Sequence, residues 1–215
     1  MLHPQYPADT TLPIAQPRHK AAEQADISLH CPEEIAVSLH DRQSPCRQRL
    51  EDFIREKYWS IHAANISHFM PTIMSLNNRK GELLATCGLR RANEEDLFLE
   101  HYLDVSVEQA LQDATGQAVS RASIFEIGNF AVRRHHDIRT LLSCISRHLH
   151  ETATEWAVFT ATTTLYNSLQ KLTIPMVTLG EARLEKLPPD TRDGWGTYYD
   201  CEPKVLAIAR NRSTS

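Results

Sequence analysis

The stretch from residue 123 to residue 177 constrains the fold more than any other part of this sequence. Ser123-Ile-Phe-Glu-Ile-Gly-Asn-Phe-Ala-Val132 reads as a buried strand, interrupted only by Gly128-Asn129. Ile138, Leu141, Leu142, Ile145 and Leu149 then fall at i, i+3, i+4, i+7 and i+11, the stripe of an amphipathic helix. Trp156-Ala-Val-Phe-Thr-Ala161 is a second buried strand, and Leu165, Leu169 and Leu172 place a short helix after it. Strand, helix, strand and helix in succession argue for parallel neighbours in the centre of an α/β (α+β) sheet.

The flanking segments add antiparallel pieces. Pro45 stands where a helix starts, and Leu50, Phe53, Ile54, Tyr58 and Ile61 follow helical spacing. Thr72 to Leu89 reads as a hairpin around the polar turn Asn77-Asn78-Arg79-Lys80-Gly81. A short extended piece is expected at Leu97–Leu99, and Ser106 with Gln109 opens a helix that Gly116 ends. Met176–Leu179 and Lys204–Ala209 look like closing strands. Residues 1–35, with Pro4, Pro7, Pro13 and Pro17, are polar and aperiodic and are expected as a disordered or extended tail, leaving 36–215 as one domain.

Composition removes several classes of function. With 23 Lys+Arg against 27 Asp+Glu the formal charge is −4, which speaks against a broadly basic nucleic-acid binder. No apolar run approaches the ~18 residues of a membrane span, and no secretory signal opens the chain, so a cytoplasmic protein without stable membrane insertion is expected. The 5 cysteines include no CxxC pair and read as reduced thiols; the 11 histidines share no metal-binding spacing, so no metal is expected. There is no GxSxG, no P-loop and no GxGxxG.

Three constellations remain. The strand at 123–132 runs into Arg133-Arg134-His-His-Asp-Ile-Arg139 at the start of a helix, a basic turn where a phosphate could sit; a solvated helix face is the alternative. Glu126 lies inside an apolar strand, where a buried carboxylate needs partners or takes up a proton, unless that strand face meets solvent. Asn129 shapes a bulge or binds a ligand amide. If 97–104 is extended, Glu100, Tyr102 and Asp104 share one face, and near Trp195-Gly-Thr-Tyr198-Tyr199-Asp200 they form a pocket wall or surface decoration.

Leu97-Phe-Leu-Glu-His-Tyr-Leu-Asp104, Glu126-Ile-Gly-Asn-Phe-Ala-Val132, Trp156-Ala-Val-Phe-Thr-Ala-Thr162 and Trp195-Gly-Thr-Tyr-Tyr-Asp200 together resemble the thermostable hemolysin family, from about Arg47 to Ala209. That family resembles the GNAT-type acyltransferases and their acyl-homoserine lactone synthase relatives. The resemblance implies a GNAT-like mixed, splayed β-sheet flanked by helices on both faces, with 123–132 and 156–161 as the splayed pair. An acyl-pantetheine arm would lie in the V between them. It further implies an acyltransferase that moves an acyl group from an acyl-CoA or the phosphopantetheine of an acyl carrier protein to an amine or hydroxyl acceptor. Alternatives are a degenerate binding or regulatory module and, from the family's label, a membrane-lytic protein.

On that resemblance Glu126 is expected as general base, with Glu100 as second choice, and Tyr166 as a general acid in place of the tyrosine where Leu169 stands. Asn129, Phe130, Ala131 and Val132 would face the donor, and Arg133, Arg134 and Arg139 its phosphate. Tyr102, Trp195 and Tyr198 would bind the acceptor. The superfamily's phosphate turn carries glycines, whereas Arg134-His-His-Asp-Ile-Arg139-Thr140 has none, which favours a carrier-protein donor. A monomer or homodimer is expected.

Overall fold

A computed structural model describes residues 34–152 and 154–210. The expected tail lies outside the described residues up to residue 33. Among the described residues seven strands form one sheet in the order β1-β2-β3-β4-β5-β7-β6. They are β1 (Ala36–His40), β2 (Thr72–Asn77), β3 (Leu83–Arg91), β4 (Ile124–Val132), β5 (Trp156–Ala161), β6 (Val177–Glu181) and β7 (Lys204–Ala209). Four α-helices accompany them: α1 (Arg47–His62), α2 (Val107–Thr115), α3 (Asp137–Glu151) and α4 (Thr163–Lys171). β4 and β5 are parallel, joined through α3; every other pair is antiparallel.

Local chemistry accounts for the helix ends near the site. Ser106 Oγ accepts from the backbone N–H of Gln109, and Gly116 stops α2 at φ 72°. The expected extended piece at 97–99 is instead the start of a 3-10 turn, Phe98–Tyr102. Its first two N–H groups donate to one carboxylate from outside the turn, Glu126, which compensates for the poor 3-10 geometry.

Side chains from the two sheet faces build separate cores. Met74, Leu89, Phe125, Ile127, Phe159 and Leu206 pack with Leu141, Ile145 and Leu149 of α3 and Leu169 of α4. The opposite face divides in two. Ile73, Leu83 and Ala131 meet Leu50 and Ile54 of α1, while Ile124, Val158, Val205 and Ala207 meet Leu99, Tyr102, Val107 and Leu111.

The bulge in β4 sets the geometry between these cores. Gly88 pairs with Gly128 and Thr86 with Ala131, so Cys87 alone opposes Asn129 and Phe130. Asn129 takes the extra residue with φ 46°, a left-handed conformation that Asn tolerates better than most side chains. One added residue shifts the parity of the strand. Ile124 packs on one face ahead of the bulge and odd-numbered Ala131 continues there after it. The parallel β4–β5 ladder ends at Ile127↔Phe159, whereas β5 stays paired with β7 through Ala161. The two central strands therefore part at the bulge.

Met70 covers this opening. A Cβ on Gly88 would stand 2.7 Å from Met70 Cβ and 2.8 Å from Asn129 Oδ1. Both strands thus carry glycine where the 63–71 loop crosses them. Gly88→Ala should lower stability by about 1–3 kcal/mol, since the atom struck is at the stiff base of Met70. Chemical denaturation would show a lower midpoint with an unchanged slope; an unchanged midpoint would mean that the loop yields freely.

Candidate active site

The strand opening holds a cavity of about 90 Å³ that touches all three cores. Ile127, Gly128, Asn129 and Phe130 of β4 form one wall, with Phe159 and Thr160 of β5 and Leu165 of α4 opposite. Tyr58, Met70, Phe98, Tyr102, Trp195 and Tyr198 close it from the α1 side, and Arg90 and Glu126 supply its charges.

Aromatic placement follows from backbone docking. The 194–197 turn lies against the end of α1: Asn65 N–H donates to Gly194 O at 2.6 Å, and Thr197 N–H to His62 O at 2.8 Å. Gly196, at φ 51°, leaves no room for a Cβ beside the His62 carbonyl. Trp195 then donates its indole N–H to Thr191 O at 2.8 Å and meets Phe98 and Tyr198 with ring centroids 5.9 and 5.4 Å away. Tyr58 stacks on Tyr198 at 6.2 Å. The Tyr102 and Tyr199 hydroxyls bond at 2.5 Å. Burial raises the phenol pKa of Tyr58 and Tyr199 to about 12, and those of Tyr102 and Tyr198 also rise through burial, so these groups stay neutral.

Glu126 sits on the last stretch of the parallel ladder, one residue before it ends, and is 3% exposed. Its carboxylate accepts from Leu99 N–H at 2.9 Å and Phe98 N–H at 3.0 Å, and Arg90 Nη1 is 3.5 Å away. Burial raises its pKa to about 6, against the pull of Arg90 and of the two amides. It is a carboxylate at neutral pH, yet close enough to neutrality to exchange a proton.

Glu100 has the opposite environment. Arg121 grips it bidentately at 2.7 and 2.8 Å, and Leu97 and Val107 N–H groups complete its bonds. The Arg121 hydrogen bonds hold its pKa below the usual carboxylate value. It lines neither cavity nor strand opening, and joins the 3-10 turn to α2. Because 98–102 is a turn, Glu100, Tyr102 and Asp104 do not share the face expected of a strand. Tyr102 reaches the cavity, and Asp104 pairs at the surface with Lys186 Nζ at 2.8 Å. Tyr166 does not line the cavity; its hydroxyl accepts from Gln170 Nε2 at 2.8 Å at the surface.

Among the expected donor residues, Asn129 and Phe130 line the cavity, whereas Ala131 packs under α1 and Val132 against α3. Both ends of the Asn129 amide are engaged: Oδ1 accepts from Met70 N–H at 2.9 Å and Nδ2 donates to His68 O at 3.2 Å. In this conformation the side chain closes the loop rather than offering itself to a ligand. The Tyr58 phenol meets the backbone of Phe130 at the bulge. Arg133, Arg134 and Arg139 are exposed around the start of α3, with Arg133 Nη1 3.6 Å from Glu82. Asp137 is buried there and accepts from Arg134 N–H at 2.9 Å, so a carboxylate of the chain already occupies the turn.

Sequence reasoning missed Arg90, Tyr58, Phe98 and Met70. Only a β-alternation that puts Thr86, Gly88 and Arg90 on one face hinted at Arg90. Among the described residues no group of three His, Cys, Asp or Glu could hold a metal ion, and no helix is long and apolar enough to cross a membrane.

The raised pKa of Glu126 has a stability consequence. The folded state holds its proton more tightly than the unfolded chain, so the contribution is present below pH 4.5 and is lost as pH rises through about 6. The loss amounts to about 2 kcal/mol. The stability of the protein relative to a Glu126→Gln variant should fall by that amount between pH 4 and pH 7 in urea titrations; a constant difference would place Glu126 in a water-like environment.

The family model described as thermostable hemolysin matches residues 40–214. No curated protein matches the sequence. Among solved structures, the AHL synthase LasI superposes with a TM-score of 0.55 at 12% identity, over 84% of this chain and 92% of that one. FeeM, an N-acyl amino acid synthase from uncultured soil microbes, gives 0.55 at 13% identity, over 81% and 90%. TofI in a ternary complex with an inhibitor and MTA gives 0.52 at 9%, over 82% and 92%. The likeness is one of fold: a mixed sheet flanked by helices on both faces.

Proposed function

The chain belongs to the thermostable hemolysin family, and from that premise we propose that it is an acyltransferase that moves an acyl group from a thioester to an amine acceptor. One observation carries the reading: a buried carboxylate with a pKa of about 6, Glu126, faces an aromatic cavity at the point where two parallel strands part. Parted strands leave backbone N–H and C=O groups for the amides of a pantetheine arm. Aromatic walls attract an ammonium group through their π-faces, which favours an amine over a hydroxyl. Solved structures of similar fold include an AHL synthase and an N-acyl amino acid synthase, which supports the same chemistry.

The bound ammonium first releases one proton to solvent through Glu126; the amine nitrogen so formed attacks the thioester carbonyl carbon, and its second proton passes to Glu126. The C–N bond forms as the C–S bond breaks, and sulfur leaves with the electron pair. A thiolate is a stable leaving group near neutral pH and takes its proton from solvent. A backbone N–H at the bulge, where the Tyr58 phenol now stands against Phe130, would face the carbonyl oxygen. Arg133, Arg134 and Arg139 would meet the donor's phosphate from outside the turn. Because Asp137 fills the turn itself, the phosphopantetheine of an acidic carrier protein suits this surface better than the pyrophosphate of CoA.

The same filled turn favours a second reading, a binding module without turnover. Incubation with acyl carrier proteins and acyl-CoAs of several chain lengths, with free thiol as the readout, separates the two. Glu126→Gln should reduce kcat by about a hundred- to ten-thousand-fold with donor affinity little changed. The kcat/KM of the wild type should rise with pH and level above about 6, the pKa of the buried carboxylate. Full turnover by the variant removes Glu126 as base; no thiol release from any donor leaves the module.

A further inference from the structure

Arg90 has no part in the chemistry above, yet it stands beside the group that does. It pairs in register with Glu126 across β3 and β4, and both side chains line the cavity. Nη1 donates to Asp96 O at 3.0 Å and lies 3.5 Å from Glu126 Oε2. Nε is buried without a hydrogen-bond partner among the described residues, its approach to Glu95 Oε2 being 3.6 Å. A guanidinium carries five N–H donors in a planar fork, and a buried one that is incompletely bonded is costly unless a ligand completes it.

The two carboxylates nearest Arg90, Glu95 at 3.6 Å and Glu126 at 3.5 Å, are both held by other groups as well. Glu95 is shared with Arg42, which holds it at 3.1 Å. Glu100 is held by Arg121, and Arg91 points to the other face, over the Phe125 ring at 4.5 Å. Inside the cavity there remain one carboxylate and one guanidinium side by side, walled by aromatic rings. That dipole matches a molecule with an amine and a carboxylate on the same carbon. A plain amine would leave the guanidinium fork unmatched.

Resting on the acyl-transfer reading, we propose that the acceptor is an α-amino acid with an apolar side chain, its carboxylate held by Arg90 and its amine set beside Glu126. Arg90 thereby positions the nitrogen for attack and selects amino acids against amines of the same shape. Lys would keep the charge but lose the fork that fits a carboxylate.

The test uses L-leucine, L-methionine and L-phenylalanine against isopentylamine, 3-(methylthio)propylamine and phenethylamine, at pH 8, where Glu126 of the wild type is ionised. The wild type should prefer at least one amino acid over its amine by about tenfold or more in kcat/KM. Arg90→Gln should erase that preference by raising KM for the amino acid while leaving the amine's KM in place, and Arg90→Lys should fall between. Equal use of acid and amine by the wild type overturns the proposal, as does an equal KM rise for both in Arg90→Gln. If no donor gives transfer, calorimetry of the same six compounds decides. Amino-acid binding that Arg90→Gln abolishes upholds the carboxylate site while acyl transfer fails; no binding to the wild type, or equal binding of acid and amine, ends the proposal.

Discussion

One extra residue in β4 organises the rest of the molecule. The bulge at Asn129 lets β4 keep its pairing with β3 while it bends away from β5. The parallel ladder ends at Ile127↔Phe159, immediately before the bulge. The insertion also preserves the facing of Ala131 toward α1, so the strand bends without exposing its apolar side. Asn129 holds the left-handed backbone and at the same time bonds Met70 and His68, so the residue that opens the strands also secures the loop that roofs the opening. Gly88 and Gly128 complete the arrangement by making space for Met70 on the two paired strands. Sheet geometry, roof and cavity thus share a single cause.

Electrostatics then divides the labour between two carboxylates. Glu100 and Glu126 lie close enough for the charge of the first to raise the pKa of the second. Glu100 has a bidentate arginine and stays ionised; Glu126 is buried, has two amides, and shares a more distant arginine with Glu95. Environments this different set the proton affinities of the two neighbours apart, Glu100 below the usual carboxylate value and Glu126 above it.

The central strands, α3, α4 and the closing strands were legible in the sequence, because a crossover helix between apolar strands leaves few alternatives. The Gly128-Asn129 interruption was legible too, since glycine inside a strand pattern marks a bulge or close approach. Two things were hidden. Phe98–Tyr102 has a pattern that suits a strand or a turn, and its conformation is fixed by Glu126, 27 residues later in the chain. Arg90 lies one residue beyond the expected hairpin of Thr72 to Leu89 and drew no expectation. Its face becomes interior only when the 63–71 loop and the 98–102 turn fold over it, contacts between distant segments that no local periodicity records. The expected roles of Glu100 and Tyr166 rested on proximity along motifs, and their hydroxyl and carboxylate turn elsewhere.

Glu126 also links chemistry to the shape of the cavity. Its two oxygens hold the N–H groups of Phe98 and Leu99, and thereby the turn that carries Phe98 and Tyr102 into the wall. An ionised carboxylate accepts those bonds strongly and a neutral one accepts them less well. A proton arriving on Glu126 therefore weakens the anchoring of the wall that surrounds it. Burial alone would raise the pKa further; the two amides and Arg90 limit that rise, keeping the group ionised for most of its time at neutral pH. The two amide contacts that position the wall thus also limit the pKa of the carboxyl, so a substitution that moves the turn alters the proton affinity of Glu126.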